Sequence, residues 1–145
     1  MAWMPLNNHP SAKPTYEFWT TTNWDAAAGT GRTAISNGRL VGFTNNAADA
    51  NFPGGSRTWQ WKSPEPIANY LVENSMGTFD WSERQGGNGV LYYEAQDSGI
   101  ADARKVLNKK AMDEQENITH FQEQFNGLFP FNANGILVLQ PNASF

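Results

Sequence analysis

Hydrophobic and polar positions change their period along this chain, and the changes mark its elements. Trp59 and Trp61 alternate with Thr58, Gln60 and Lys62, the period of a strand with one buried face. Ser63 to Pro66 interrupt that run: two prolines cannot donate to a ladder, so a corner is predicted. Ile67, Ala68, Tyr70, Leu71 and Val72 read as the next strand, and Gly77 to Trp81 as another, with Phe79 and Trp81 on one face. Upstream, Met4 to Pro14 is an irregular lead-in with three prolines, and Tyr16 to Thr22 is the first strand. Asn23 to Arg32 reads as a loop. Thr33 to Ser36 and Arg39 to Phe43 flank Asn37-Gly38, the pair that best tolerates the two positive φ angles of a type I′ hairpin. Asn45 to Ser56, polar and glycine-rich, reads as a loop long enough to be mobile.

After Trp81 the period changes. Gln85 to Gly89 is a break and Val90 to Tyr93 a short apolar strand. From Asp97, Ile100, Ala103, Val106, Leu107 and Ala111 recur at helical spacing, with Asp97 or Ser98 as cap, and Ile118, Phe121 and Phe125 extend the stripe. The polar stretch Asn108 to Asn117 leaves one helix or two open, with Asp113 as a second cap. Asn126-Gly127 ends the helical region, and Ile136 to Leu139 form a last buried strand. The pattern predicts an α+β chain: an antiparallel β meander, then a strand, one or two helices and a final strand.

Composition narrows the chemistry. A chain of 145 residues suits about one domain. Its net charge of -4, with ten Lys and Arg that form no basic patch, argues against nucleic acid. With no cysteine there is no disulfide, thiol nucleophile or thiolate metal site, and the compartment cannot be read. No apolar run reaches the length of a membrane span, and Met1 to Ala12 lacks the basic-then-apolar layout of a signal peptide, so a soluble chain is expected. Gly29-Thr30-Gly31 has too few glycines for a phosphate cradle.

Three stretches in order resemble the zinc aminopeptidases of the aminopeptidase N type. Trp3 to Pro10, with Lys13 and Thr15-Tyr16, is similar to that family's Trp-x-Pro-x-Asn-Asp-His-Pro-x-Asp-Lys. The Trp59-x-Trp61 strand, Pro66 to Leu71 and Gly77 to Asp80 resemble the seam between its N-terminal β domain and catalytic domain. Phe121 to Phe125 and Gly127 to Phe131 are similar to its Phe-Phe-x-x-x-Phe-Gly-x-Tyr-Pro-Phe. Asn8 and Ala12 stand where acidic residues are common, and Asn126 where Gly is usual.

The resemblance implies residues 1–86 as the end of a β domain and 87–145 as the opening strand, helix and strand of a thermolysin-like catalytic domain. Catalysis in that family needs a His-Glu-x-x-His helix, whose histidines hold zinc while the intervening Glu is general base, and a further Glu ligand. This chain has only His9 and His120, neither in such a motif, and no Gly-x-Met-Glu-Asn loop. Both motifs would lie beyond Val138, and the family's substrate-contacting Gln or Glu before Trp3. The chain is therefore expected to hold no catalytic residue, no metal ligand and no cofactor. Its expected role is to pack the β domain against the catalytic domain and help shape a cleft for peptide N-termini. Its expected partner is the remainder of a peptidase catalytic domain, or a second copy through apolar faces.

Other residues have their own readings. Glu116, His120 and Glu123 share a helical face at spacings of four and three, which suits a metal or, among Gln115, Gln122 and Gln124, a solvated polar face. His9, between Asn8 and Pro10, reads as a structural hydrogen-bonding group. Six tryptophans raise a second class of function, since indole faces stack on sugar rings. Trp59 and Trp61 fit a buried face, which leaves Trp19 and Trp24 as the candidate surface of a stand-alone module binding carbohydrate or peptide. Asn117-Ile118-Thr119 and Asn142-Ala143-Ser144 match the glycosylation sequon.

Overall fold

The computed structural model describes residues 9–140, so most of the Trp3 to Pro10 motif and the second sequon lie outside the described residues. The chain divides into two compact units, one up to Met76 and one from Gly77. The fold class is the α+β one that the pattern predicts.

The first unit is built on β1 (Tyr16–Asp25), β2 (Thr30–Gly31), β3 (Thr33–Ser36), β4 (Arg39–Asn46), β5 (Ser56–Ser63) and β6 (Asn74–Gly77), the last running one residue into the second unit. One sheet has the order β2-β1-β5-β4, and β3 pairs with β6 in a second. The Trp-x-Trp strand β5 is central, antiparallel to β1 with Phe18 opposite Trp61 and Thr20 opposite Trp59. Trp59 and Trp61 are each 1% exposed. Their polar edges are tied down: Trp59 Nε1 donates to Thr22 Oγ1 at 3.0 Å and Trp61 Nε1 to the Ala34 carbonyl at 2.9 Å. Burying two indoles with both N–H groups bonded satisfies the hydrophobic and polar requirements of this core together.

Three expectations change here. Asn37-Gly38 does turn the chain, but β3 and β4 are not partners: β3 pairs with β6 and β4 with β5. Only Gly38 has positive φ (85°), so the turn is not type I′. A Cβ at Gly38 would run into the backbone of Lys62 and Ser63, so the close approach of this turn to β5 excludes every other residue. The second change is at Ile67 to Val72, which form no strand. Asn69–Leu71 is a 3-10 turn; Ile67, Ala68 and Asn69 are buried, whereas Tyr70 and Leu71 face out. The third is at Asn23 to Arg32, which is a β1–β2 hairpin closed by Asp25 Oδ1 accepting the N–H groups of Ala27 and Ala28.

The second unit contains β7 (Phe79–Gln85), β8 (Leu91–Asp97), α1 (Asp102–Met112), α2 (Gln115–Asn126) and β9 (Ala133–Val138). The compact units part after Met76, because the whole of β7 is laddered to β8. β8 is central, antiparallel to β7 and parallel to β9, with the two helices as the crossover. Every residue from Tyr92 to Gln96 is buried, as expected of a strand covered on both faces.

The helical stretch is two helices with Asp113 and Glu114 between them in right-handed conformation. Neither expected cap acts as one. Ala101 and Glu114 hold the N-cap positions without side-chain bonds, while Asp97 accepts from Gly99 N–H and Asp113 pairs with Lys109. Gly127, at φ 81°, ends α2 as predicted.

The largest departure from the pattern is which side of the helices faces the sheet. Lys105, Asn108, Met112, Gln115, Thr119 and Glu123 form the inner stripe. The apolar stripe, Ala103, Leu107, Ala111, Ile118, Phe121 and Phe125, faces away and is exposed. Polar groups join helix to sheet: Lys105 Nζ to Asp80 at 2.6 Å, Asn108 Nδ2 to Gln96 Oε1 at 2.9 Å, and Asn134 Nδ2 to Thr119 Oγ1 at 3.2 Å.

Candidate functional site

Trp19 and Trp24 both lie on β1, five residues apart, and therefore on opposite faces of it. Trp19 shares the outer face with Glu17 and Thr21 and is 64% exposed. Its orientation is fixed, since its Nε1 donates to Glu17 Oε1 at 2.8 Å, an oxygen that also accepts from Gln60 Nε2 at 2.9 Å. The Trp19 bond, then that of Gln60, holds the Glu17 carboxyl below its ordinary pKa.

Trp24 is half-buried on the inner face, edge-on to Trp59 with ring centroids 5.7 Å apart. The Arg57 guanidinium lies 3.7 Å from the Trp24 ring centroid and 3.9 Å from that of Phe43, and Arg57 Nε donates to Asn45 Oδ1 at 2.8 Å. Burial lowers the Arg57 pKa. This aromatic-held cation was not singled out from the sequence, although Arg57 has the same period-two register as Trp59 and Trp61. Beside Trp24 is an open concavity of about 230 Å³, walled by Phe52, Pro53 and the glycines at 31, 54 and 55. Its one carboxylate, Asp25, is already held by the turn N–H groups. Trp19 and Trp24 thus cannot form one platform.

Glu116, His120 and Glu123 do come together on α2. His120 Nδ1 is 3.0 Å from Glu123 Oε2 and its Nε2 is 3.7 Å from Glu116 Oε1. The carboxylates are, however, committed elsewhere. Glu116 accepts from Gly87 N–H at 2.7 Å and from Arg84 Nη1 at 2.6 Å, and Glu123 from Phe129 N–H at 2.9 Å. Those backbone donors are the first cause of the lowered pKa of each carboxyl, with Arg84 second for Glu116. The cluster ties α2 to the β7–β8 turn and to the segment that follows the helix, so it is neither a free ligand set nor merely a solvated face. Among the described residues no group of His, Asp and Glu is arranged to hold a metal ion, and the residues present do not fit a zinc site. His9 makes a local turn, its Nδ1 2.7 Å from Ser11 Oγ and its carbonyl accepting from Ala12 N–H.

One further charged site was not anticipated. Glu94, on β8, is 5% exposed and lies 2.9 Å from Lys109 Nζ and 3.7 Å from Arg84 Nε. Lys109 also pairs with Asp113; that bond and the one to Glu94 raise its pKa. A carboxylate between two cations in a helix–sheet interface is a structural arrangement. Among the described residues no helix is long and apolar enough to cross a membrane.

No protein-family model matches the chain, and neither does any curated protein. Solved structures do. An M1 zinc metallopeptidase from Deinococcus radiodurans matches 99% of this chain at a TM-score of 0.69 and 16% identity, with 30% of that peptidase covered. A mutant of the M1 zinc metallopeptidase from Deinococcus radiodurans, bound to a Tyr-Ser-Ala substrate, matches 99% at 0.69 and 17% identity, again over 30% of its length. A two-domain M1 zinc metallopeptidase mutant bound to L-arginine matches 98% at 0.72 and 18% identity, likewise over 30%. The chain thus has the fold of a stretch that makes up 30% of these M1 zinc metallopeptidase chains.

Proposed function

We propose that this chain is a non-catalytic segment of a zinc metallopeptidase of the aminopeptidase type. Its first unit would be the last strands of the β domain, and its second unit the opening strands and helices of the catalytic domain. The observation that carries the proposal is that nearly the whole chain, both units included, follows one stretch of the M1 peptidase fold. The sequence motifs at Trp59 to Asp80 and Phe121 to Phe131 support the same reading. Zinc ligands and the general base would come from other parts of the enzyme, and the peptide substrate would be met only there. The purified chain is expected to bind no stoichiometric zinc and to hydrolyse no aminoacyl anilide; chelator-sensitive hydrolysis by this chain alone would overturn the reading.

The oriented, exposed indole of Trp19 supports a second reading, a binding module for a soluble glycan or a peptide. Its outer-face neighbours Glu17, Thr21, Thr58 and Gln60 are hydrogen-bonding groups, which suit the hydroxyls of a sugar. Saturable quenching of tryptophan fluorescence by a soluble glucan, lost in Trp19→Ala but kept in Trp24→Phe, would favour that reading.

A further inference from the structure

Arg57 carries a charge that the fold has drawn partly out of water and has not paired. It stands on β5 between β1 and β4, and rings from both neighbouring strands lie against its guanidinium. The guanidinium carbon is 3.7 Å from the ring centroid of Trp24 and 3.9 Å from that of Phe43, with Trp59 of its own strand at 5.1 Å. Nε is taken by Asn45 Oδ1 at 2.8 Å. No carboxylate among the described residues pairs with this head group, and burial alone lowers its pKa, with no negative charge working against it. Such a cation has lost hydration without a compensating partner.

The geometry says which partner would suit it. Nη1 and Nη2 donate to nothing among the described residues, and both remain open to solvent. Aromatic carbon covers the guanidinium, so the edge of its plane is what a ligand can reach. Parallel N–H donors along that edge match two oxygens carried on one atom. Asn45 adds a donor beside it, because its Oδ1 serves Nε and its Nδ2 has no acceptor among the described residues. Rings and amide together fix the head group in advance, which lowers the entropy cost of binding.

We infer that Arg57, with Asn45 beside it, forms a binding site for a carboxylate group. A carboxylate is singly charged and is neutralised by this one cation, whereas a phosphate near two charges would remain half uncompensated. The site lies within the first unit and does not depend on the peptidase reading.

The test follows the Arg57 Nε–H and Asn45 side-chain amide resonances of the ¹⁵N-labelled chain during titration with sodium acetate at constant ionic strength. Sodium chloride and inorganic phosphate serve as comparisons. Acetate is expected to give a saturable shift at these two groups, and chloride none. Arg57→Lys keeps the charge but loses the fork, and Asn45→Asp supplies a carboxylate from within; each should weaken acetate binding by about tenfold or more. Asn45→Asp leaves the arginine and its rings in place, so it decides the matter even where Arg57→Lys does not fold. Equal responses to acetate and chloride, tighter binding of phosphate, or a folded variant that binds acetate like the parent would overturn the inference. Acetyl-dialanine, with a free chain end, and N-acetylglutamate amide, with a free side chain, then separate the two peptide sources from a small acid, the tightest of the three naming the ligand.

Discussion

The two units solve the same problem in opposite ways. In the first, a period-two pattern puts Trp59, Trp61 and Phe18 on the inner face of a sheet, and the outer face of the same strands is mostly polar, with Trp19 exposed among it. In the second, the helices turn Lys105, Asn108, Gln115 and Thr119 toward the sheet and Leu107, Ile118, Phe121 and Phe125 away from it. The first unit is held by buried indoles, whereas the second meets its sheet largely through polar and charged side chains.

The contrast can be broken experimentally, and the largest effect belongs to the first unit. Trp61→Ala removes a fully buried indole and its bond to Ala34, with an expected cost of about 3–5 kcal/mol. Near-ultraviolet dichroism during denaturation would report it, because Trp81 alone among the tryptophans lies beyond Met76. Gly38→Ala should follow, at about 1–3 kcal/mol for a strained φ, with the clash against β5 added. In the second unit Lys109→Ala leaves the buried Glu94 carboxylate with only the longer Arg84 contact, at an expected cost of about 1–3 kcal/mol read from the helical dichroism.

Acid should act on the second unit through Glu116 and Glu123. Both carboxyls titrate below their ordinary value of 4.5 when folded, so they contribute stability that is fully present above 4.5 and lost as pH falls through the depressed folded values. Glu116→Gln should flatten that dependence. Lys109 titrates above its ordinary 10.5 when folded, so its contribution holds below 10.5 and disappears as pH rises through the folded value. The smallest effect is expected from the Phe121→Asn, Phe125→Asn pair, within about 0.5 kcal/mol, since neither ring is buried. A large loss there would erase the contrast between the units.

Much of this architecture is legible in the sequence, and the failures have physical causes. Alternation located β5 and its buried face, and the Asn126-Gly127 stop located the end of α2, because both signals act within a few residues. Asn37-Gly38 marked a reversal correctly, but the partner of β3 is fixed by β6, far along the chain, which a local turn signal cannot report. Ile67 to Val72 looked like a strand because a short apolar run has no distinctive period; Pro64, Pro66 and the buried Asn69 favour a 3-10 turn instead. Helical periodicity revealed two faces but not which one meets the sheet. That choice depends on Glu94 and Gln96 of β8, which lie beyond the apolar Val90 to Tyr93 that the sequence marks as the strand. Of the candidate site residues, Trp19 and Trp24 were separable in principle, since five residues along a strand is an odd interval.

The parallel pairing of β8 with β9 has a consequence for how the chain is made. β7 and β8 are joined by a short turn and can zip as soon as both have been synthesised, but β9 reaches its place only after everything from Ser98 to Asn132 has been threaded across the sheet. Closing so long a loop before any ladder bond forms is slow, and meanwhile β8 presents an open edge to other chains. The helical crossover shortens that interval, because α1 and α2 form from local contacts and draw the ends together. The time for which that edge of β8 stands open is thus set by how quickly two helices with outward-facing phenylalanines can settle on a polar seat.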